Sequence, residues 1–376
     1  MIPGDNEQAY RDLIEWLKKT WWDLPESEEL VPIIRSRCTP DEALLLTGLP
    51  FASKSLEELA HLKQLPSAEL ERRLDRLCRK GLVFRSKRGA SVRYRLNDAY
   101  FSLLRAPFWA GRQDDPGSEF ASAMNRYFLS GLNDQYADVP EKGLRALPIN
   151  KTIEDPRQIL PYEDAARFLA AQEDICVATC PCRHRKNLDP DSPDCKHSTE
   201  VCLHFGSLAR YMVDHAMARA IDMEEAQEIL QKSAEEGLVH GISNWVEGVD
   251  SICNCCRCCC VFFESYHVLK HSRSLEPSNF IVSVNEETCI ACGLCTQRCP
   301  MDALTLESST RATNKKGKVA VLDPESCIGC GVCAFKCPSE SLALVSRGKT
   351  VHPPKNPRDY TRRYMAYREA AKRVRQ

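Results

Sequence analysis

The chain lacks the features that would put it in a membrane or give it a nucleotide. It has no stretch of roughly 18 apolar residues, so no segment is expected to span a bilayer. The first residues, Met1 to Arg11, contain no apolar h-region, so no secretory leader is expected there. A Walker A loop and a G-x-G-x-x-G fingerprint are both missing, which leaves no evident nucleotide or flavin site. Charge of one sign is missing too. The formal net charge is −1, so charge alone does not make the whole molecule a polyanion binder.

What is abundant is cysteine, 21 in 376 residues. A secreted disulfide scaffold would be short. Here the cysteines crowd together, many adjacent or one residue apart. Neighbours that close are poor disulfide partners and good metal ligands. The expectation is metal-bound thiolates in a reducing cytoplasm, in an anaerobic or microaerophilic setting.

The length allows two or three domains. An α+β, multidomain chain is predicted. Its blocks are 30–110, 150–275, 278–346 and a basic tail, 347–376. A polar stretch between the first two, including Gln113 to Ser118, reads as a loop.

The third block holds the most specific pattern. Cys289, Cys292, Cys295 and Cys299-Pro300 follow C-x2-C-x2-C-x3-C-P, and Cys327, Cys330, Cys333 and Cys337-Pro338 repeat it. The repeat continues through Met301–Leu306 and Ser339–Leu344. Structural zinc favours paired C-x2-C knuckles separated by longer loops, unlike this. Over about 65 residues the block resembles the bacterial two-cluster ferredoxins. In that pattern three closely spaced thiolates reach three irons of one cube. The fourth is expected to begin a helix turned toward the other cube. The resemblance implies one [4Fe–4S] cluster on Cys289, Cys292, Cys295 and Cys337, and a second on Cys327, Cys330, Cys333 and Cys299. Pro300 and Pro338 would stop the local turn and remove an N–H that would lack a partner. Gly293 and Gly331 would let backbone amides approach the clusters. Ile290, Leu294, Ile328 and Val332 would shield them from water.

The second block holds eleven cysteines at its two ends around a middle read as helical, about 205–236. An amphipathic helix is expected over Leu160–Leu169, and a short strand over Ile175–Ala178. Then come Cys180-Pro181-Cys182-Arg183, Cys195 and Cys202. Gly237-Leu238-Val239-His240 reads as a helix end. The block closes with Cys253, Cys255, Cys256, Cys258, Cys259 and Cys260. Over about 110 residues this resembles a domain found beside ferredoxin modules in anaerobic redox proteins. Independently of that, ten thiols drawn from two ends of a segment converge only if something holds them, and unbound they would be an oxidation liability. They suit one [4Fe–4S] cluster with spares, two clusters, or a cluster plus zinc; zinc alone and a thiol relay are the alternatives. Arg183 and Arg257 would offset thiolate charge. Cys176 reads as a buried strand residue. His184, His197 and His204 read as surface or capping residues rather than iron ligands, and His240 reads equally as closing a helix or as a functional residue.

The first block carries two capping boxes, Thr39-Pro40-Asp41-Glu42 and Ser55-Leu56-Glu57-Glu58. A third helix should begin at Ser67 and close at Gly81. Two strands, Leu82–Phe84 and Val92–Leu96, should flank a basic turn, Arg85 to Ala90. This order resembles the winged helix-turn-helix domains of bacterial repressors. Arg72, Arg73, Arg76, Arg79 and Lys80 on the third helix, with Arg85, Lys87, Arg88, Arg93 and Arg95 on the wing, supply the basic footprint that DNA would need. The competing expectation is a protein-docking platform. Cys38 and Cys78 read as packing residues, and Trp16, Trp21 and Trp22 as a packing patch. The tail has ten Lys/Arg against two acids. Its Tyr360, Tyr364, Tyr367, Ala371 and Val374 sit at helical spacing.

Functionally, the expectation is an electron-transfer subunit. It would pass single electrons through two ferredoxin clusters, and one or two more in the second block, to or from a flavoprotein or metalloenzyme. The alternatives are a redox-sensing regulator that binds DNA through the winged helix, and a reductase whose second-block cluster is catalytic.

Overall fold

The computed structural model describes residues 3–20, 24–114, 116–137 and 139–375. Trp21, Trp22, Asp115 and the side chains of Arg88 and Val374 lie outside the described residues.

Near the N-terminus, two of three successive helices follow their caps. Thr39 and Ser55 each close a capping box, with Glu42 and Glu58, over Pro40–Leu46 and Leu56–Lys63. The third helix, Ser67–Arg79, buries Leu70, Leu74 and Leu77 on one face. A hairpin of β1 (Val83–Arg88) and β2 (Ser91–Leu96) follows. The expected basic turn is therefore mostly strand: cross-strand pairing runs out to Arg88 and Ser91, leaving only Gly89 and Ala90 to turn.

The stretch after the hairpin is more than a loop. A π-helical turn, Tyr100–Arg105, leads into Ala106–Trp109, and a further helix spans Gly117–Tyr127. Phe108, Trp109, Phe120 and Tyr127 are buried there. Together they join the N-terminal helices to the middle of the chain in one apolar core.

The middle of the chain is built on a sheet, which corrects the expectation of a helical cysteine-rich domain. Six strands run in the order β3 (Leu144–Ala146), β7 (Val239–Ser243), β8 (Ser251–Cys255), β5 (Glu200–Phe205), β4 (Ile175–Thr179) and β6 (Arg219–Ala220). Every neighbouring pair is antiparallel. The stretch read as continuous helix breaks into Gly206–Asp214, the short strand β6, and Met223–Glu236. The helix expected over 160–169 is confined to Ala165–Ala170, where the Asp164 side chain caps it. Gly237 does end a helix, in the left-handed conformation, but His240 lies inside β7.

Period-two alternation sorts this sheet into two faces. Ile175, Val177, Leu203, Phe205, Ile242 and Ile252 pack under Ala165–Ala170 and Met223–Glu236. The intervening residues, among them Cys202, Cys253 and Cys255, point the other way.

The cysteine repeat near the C-terminus folds on two small antiparallel ladders. One pairs β9 (Phe280–Val284) with β12 (Leu342–Ser346); the other pairs β10 (Leu304–Ser308) with β11 (Lys318–Leu322). The tail is a helix, Pro357–Arg375, with Tyr360 and Tyr364 buried. No helix among the described residues is long and apolar enough to cross a membrane.

Candidate metal centres

The cysteine repeat makes two separate pockets. Cys289, Cys292 and Cys295 line one together with Cys337, under Ile290, Leu294 and Leu342. Cys327, Cys330 and Cys333 line the other together with Cys299, under Val282, Met301 and Ile328. Each long-range partner follows a short helix, Leu294–Arg298 or Val332–Phe335, instead of beginning one as expected. The helix carries the chain from one pocket to the other, and Pro300 and Pro338 come directly after. Gly293 and Gly331 both stand in the left-handed region, φ 84° and 80°, and open these helices. A side chain on Gly331 would also meet the Thr152 hydroxyl at 2.4 Å.

The two pockets differ in exposure. Cys292 is exposed and Ile290 is 48% exposed. Cys327, Cys330 and Cys333 are all buried. The Ile149 amide donates to the Cys330 carbonyl at 3.1 Å, so the inner pocket is roofed by the chain leading into the middle sheet.

The ten middle cysteines divide. Cys202 stands on β5 and Cys253 on β8. Leu203 pairs with Ile252 in this antiparallel ladder, so one step further the register sets Cys202 and Cys253 opposite each other. Cys255 is on the same face two residues on. Cys180 and Cys182 stand at the start of the helix Pro181–Leu188, and Cys260 caps Val261–His267. All six line one cavity of about 790 Å³, which Cys256 also borders. Its remaining wall includes several aromatic residues, among them Phe84 of the hairpin, Phe101, Tyr136 and Tyr360. Tyr100, Arg105 and Asp250 bring polar groups to it. Cys195, Cys256, Cys258 and Cys259 form a second set whose sulfurs all lie within 4.8 Å of one another. Cys176 belongs to neither. It is buried on β4, and burial pushes its thiol up to about 12. Cys38 and Cys78 are likewise buried packing residues, each pushed up to about 12, first by burial.

Buried ion pairs fix the two cysteine-bearing helices. Glu264 accepts from Arg185 at 3.1 Å and from Lys186 at 2.5 Å. Asp189, which ends Pro181–Leu188, accepts from Ser122 at 2.7 Å and Ser192 at 2.8 Å, and also from Asn125. Burial pushes its carboxyl up, but these donors outweigh burial and hold it below the usual aspartate range. Arg183 is fully buried and donates to the Ser198 and Asn254 carbonyls. The thiols of Cys180, Cys256, Cys255 and Cys195 act on it electrostatically.

The histidines are less peripheral than expected. His184 is buried and donates through Nε2 to the Arg112 carbonyl at 2.7 Å. His204 is fully buried, 3.2 Å from the Cys202 sulfur, and burial, aided by Arg105, lowers its pKa to about 3. His240 donates to Asn254 at 2.6 Å. His197 is half-buried, 3.6 Å from Glu236. Sequence reasoning missed Arg105, Tyr100 and Asp250 altogether. They lie far from any cysteine motif, and only the fold brings them to the cavity.

The ferredoxin-like part is seated directly on the middle sheet. Arg257, inside the cysteine run, pairs with Asp302 in a two-pronged contact, one bond at 2.6 Å. Arg257 thus joins the cysteine run to the ferredoxin-like part, and Cys299 acts on it electrostatically as well. His267 donates to the Pro300 carbonyl at 2.7 Å, next to Cys299. Arg298 donates to the Ala234 and Glu235 carbonyls at 2.9 and 3.2 Å, at the negative end of Met223–Glu236. Cys255, Cys260 and Phe263 share one apolar cluster with Cys299, Cys327, Cys330 and Cys333.

Comparison with known families agrees with this geometry. The 4Fe-4S dicluster domain family matches residues 288–341, which implies 4Fe-4S cluster binding and suggests iron–sulfur electron transfer. No curated protein and no solved structure matches the chain.

Proposed function

We propose that the chain is a branch of an electron-transfer path that runs from an exposed ferredoxin cluster, through a buried one, to a redox centre on the thiols of the middle sheet. The outer cluster is held by Cys289, Cys292, Cys295 and Cys337, and the inner by Cys299, Cys327, Cys330 and Cys333. The observation that carries this is the seam at Pro300. The helix that begins beside Cys260 ends at His267, which bonds the carbonyl next to Cys299. The two sets of thiols thus share one packed, apolar interior. A redox partner, a flavoprotein or metalloenzyme, docks at the edge bearing Ile290 and Cys292.

The N-terminal helices and hairpin act here as structure. Arg73, Arg79 and Lys80 pair with Glu69, Asp75 and Glu42. The hairpin turns Phe84, Ser86 and Arg95 into the cavity wall, and the Phe84 ring packs, tilted by 30°, 4.5 Å from that of Tyr211 in the helix Gly206–Asp214. Internal pairing and internal packing support a winged helix used as a protein platform over one used on DNA.

The test is iron and acid-labile sulfide per chain after anaerobic purification. About twelve irons with equal sulfide, the content of three cubes, is expected. About eight would confine iron to the ferredoxin-like part and end the relay.

A second reading has its own observation. The thiol-lined cavity is large enough for a small molecule beside a metal centre. A reductase acting there would show a substrate-dependent change in the spectrum of the middle centre; an unaltered spectrum across candidate oxidants would leave the conduit alone.

A further inference from the structure

The ten middle cysteines are of two kinds, and distance separates them. Four sulfurs at the ~2.3 Å of a zinc–thiolate bond stand roughly 3.8 Å apart at the corners of a tetrahedron. Thiolates that serve a cube bind different irons, so the body of the cluster holds them farther apart. The sulfurs of Cys195, Cys256, Cys258 and Cys259 lie within 4.8 Å of one another, with Cys195–Cys258 at 3.5 Å and Cys258–Cys259 at 3.6 Å. Among the described residues the eight cysteines of the ferredoxin-like part form no group this tight. The same chain thus offers both spacings.

Placement agrees with spacing. Cys255 and Cys256 are successive at the end of β8, where successive side chains diverge. Cys255 joins the apolar cluster shared with the ferredoxin-like part. Cys256 joins a separate small cluster with Val201, Leu238, Cys195 and Cys259. Three of the four are buried and Cys258 alone is exposed. All four corners are sulfur, so the site is closed, the form of a structural site and not a catalytic one. A tetrathiolate zinc carries a net charge of about −2, and the buried guanidinium of Arg183 stands against it.

We propose that Cys195, Cys256, Cys258 and Cys259 bind one zinc ion as a closed tetrathiolate, leaving Cys180, Cys182, Cys202, Cys253, Cys255 and Cys260 for the redox centre at the cavity. The zinc is redox-inert and staples the 189–199 loop to the turn after β8. It holds whether or not electrons pass through the middle of the chain.

Zinc and iron are measured per chain in protein purified anaerobically, and the zinc shell is read by X-ray absorption. About one zinc with four sulfurs near ~2.3 Å is expected in the full chain. The variant Cys195→Ser/Cys258→Ser should lose the zinc and keep its iron, while Cys202→Ser/Cys255→Ser should keep the zinc. Absence of zinc from the fully iron-loaded protein, or a zinc shell with other than four sulfurs, overturns the proposal. So does a loss of about four irons in Cys195→Ser/Cys258→Ser, which would make those residues cluster ligands. The absorption measurement uses the unmodified chain, so a variant that fails to fold does not blunt the test.

Discussion

At the scale of single residues, Gly329 shows how little freedom the inner pocket has. Its φ is +66°, and a Cβ there would stand 2.0 Å from the Phe280 carbonyl oxygen, a backbone atom that cannot swing away. The left-handed conformation alone costs a side chain on the order of 1–3 kcal/mol. Gly329→Ala is expected to empty the inner pocket, and iron analysis should show a loss of about four atoms per chain, those of one cube. Full iron retention would mean that β9 can yield. Asp189 offers a test of another kind. Its carboxyl is held below the ordinary range, so the stability it confers is full above the unfolded value near ~3.9 and disappears as pH falls through the lower folded value. Asp189→Ala should therefore lower stability at neutral pH by about 1–3 kcal/mol, because Ser122, Asn125 and Ser192 lose their acceptor. The deficit should shrink on strong acidification. Denaturant titration at two pH values checks both.

Among elements, the decisive contact is between the two helices that begin at cysteines. Pro181–Leu188 and Val261–His267 meet through Glu264, which serves Arg185 and Lys186 together. Removing one partner of a buried pair leaves charge without compensation, at about 3–5 kcal/mol. Glu264→Ala should separate the two helix starts and release metal from the cavity thiols. The ferredoxin-like part should keep its own. Heating the variant while following iron release will show an early phase if this holds, and a single unaltered transition if it does not. Only the first of these helices carries a legible start signal, proline at its first position after Cys180; by sequence that stretch reads as a turn of candidate ligands, and Val261–His267 carries no such signal. The sheet beneath them was harder to see. Its strands are short and its two faces carry different chemistry, so Ser251–Cys255 reads as a cysteine run before it reads as a strand.

For the whole molecule, the order of the clusters makes a directional prediction. If electrons enter at the exposed pocket and leave toward the middle sheet, Cys330→Ser should still accept electrons at the outer cluster from a protein donor. It should fail to pass them to the middle centre. A small diffusible reductant should reach both. Freeze-quench spectroscopy of the variant distinguishes the cases, and normal reduction of the middle centre by the protein donor would place the path elsewhere.

What the sequence by itself determined is the chemistry of the local motifs. Ligand spacing in the repeat, two capping boxes and a terminal helix with its tyrosines on one face all depend on residues a few positions apart, and local geometry is set by local sequence. The tertiary structure decided what depends on distance in the chain. It brought Cys195 to Cys256, Cys258 and Cys259 as one tight group, and gathered six other cysteines around a cavity that, of those four, only Cys256 borders. It turned the hairpin inward as a cavity wall and seated the ferredoxin-like part on the cysteine helix through His267 and Arg257. The physical reason is that a thiolate looks the same in sequence whatever it binds. Only the separation imposed by the packed backbone distinguishes the corner of a single ion from the corner of a cluster.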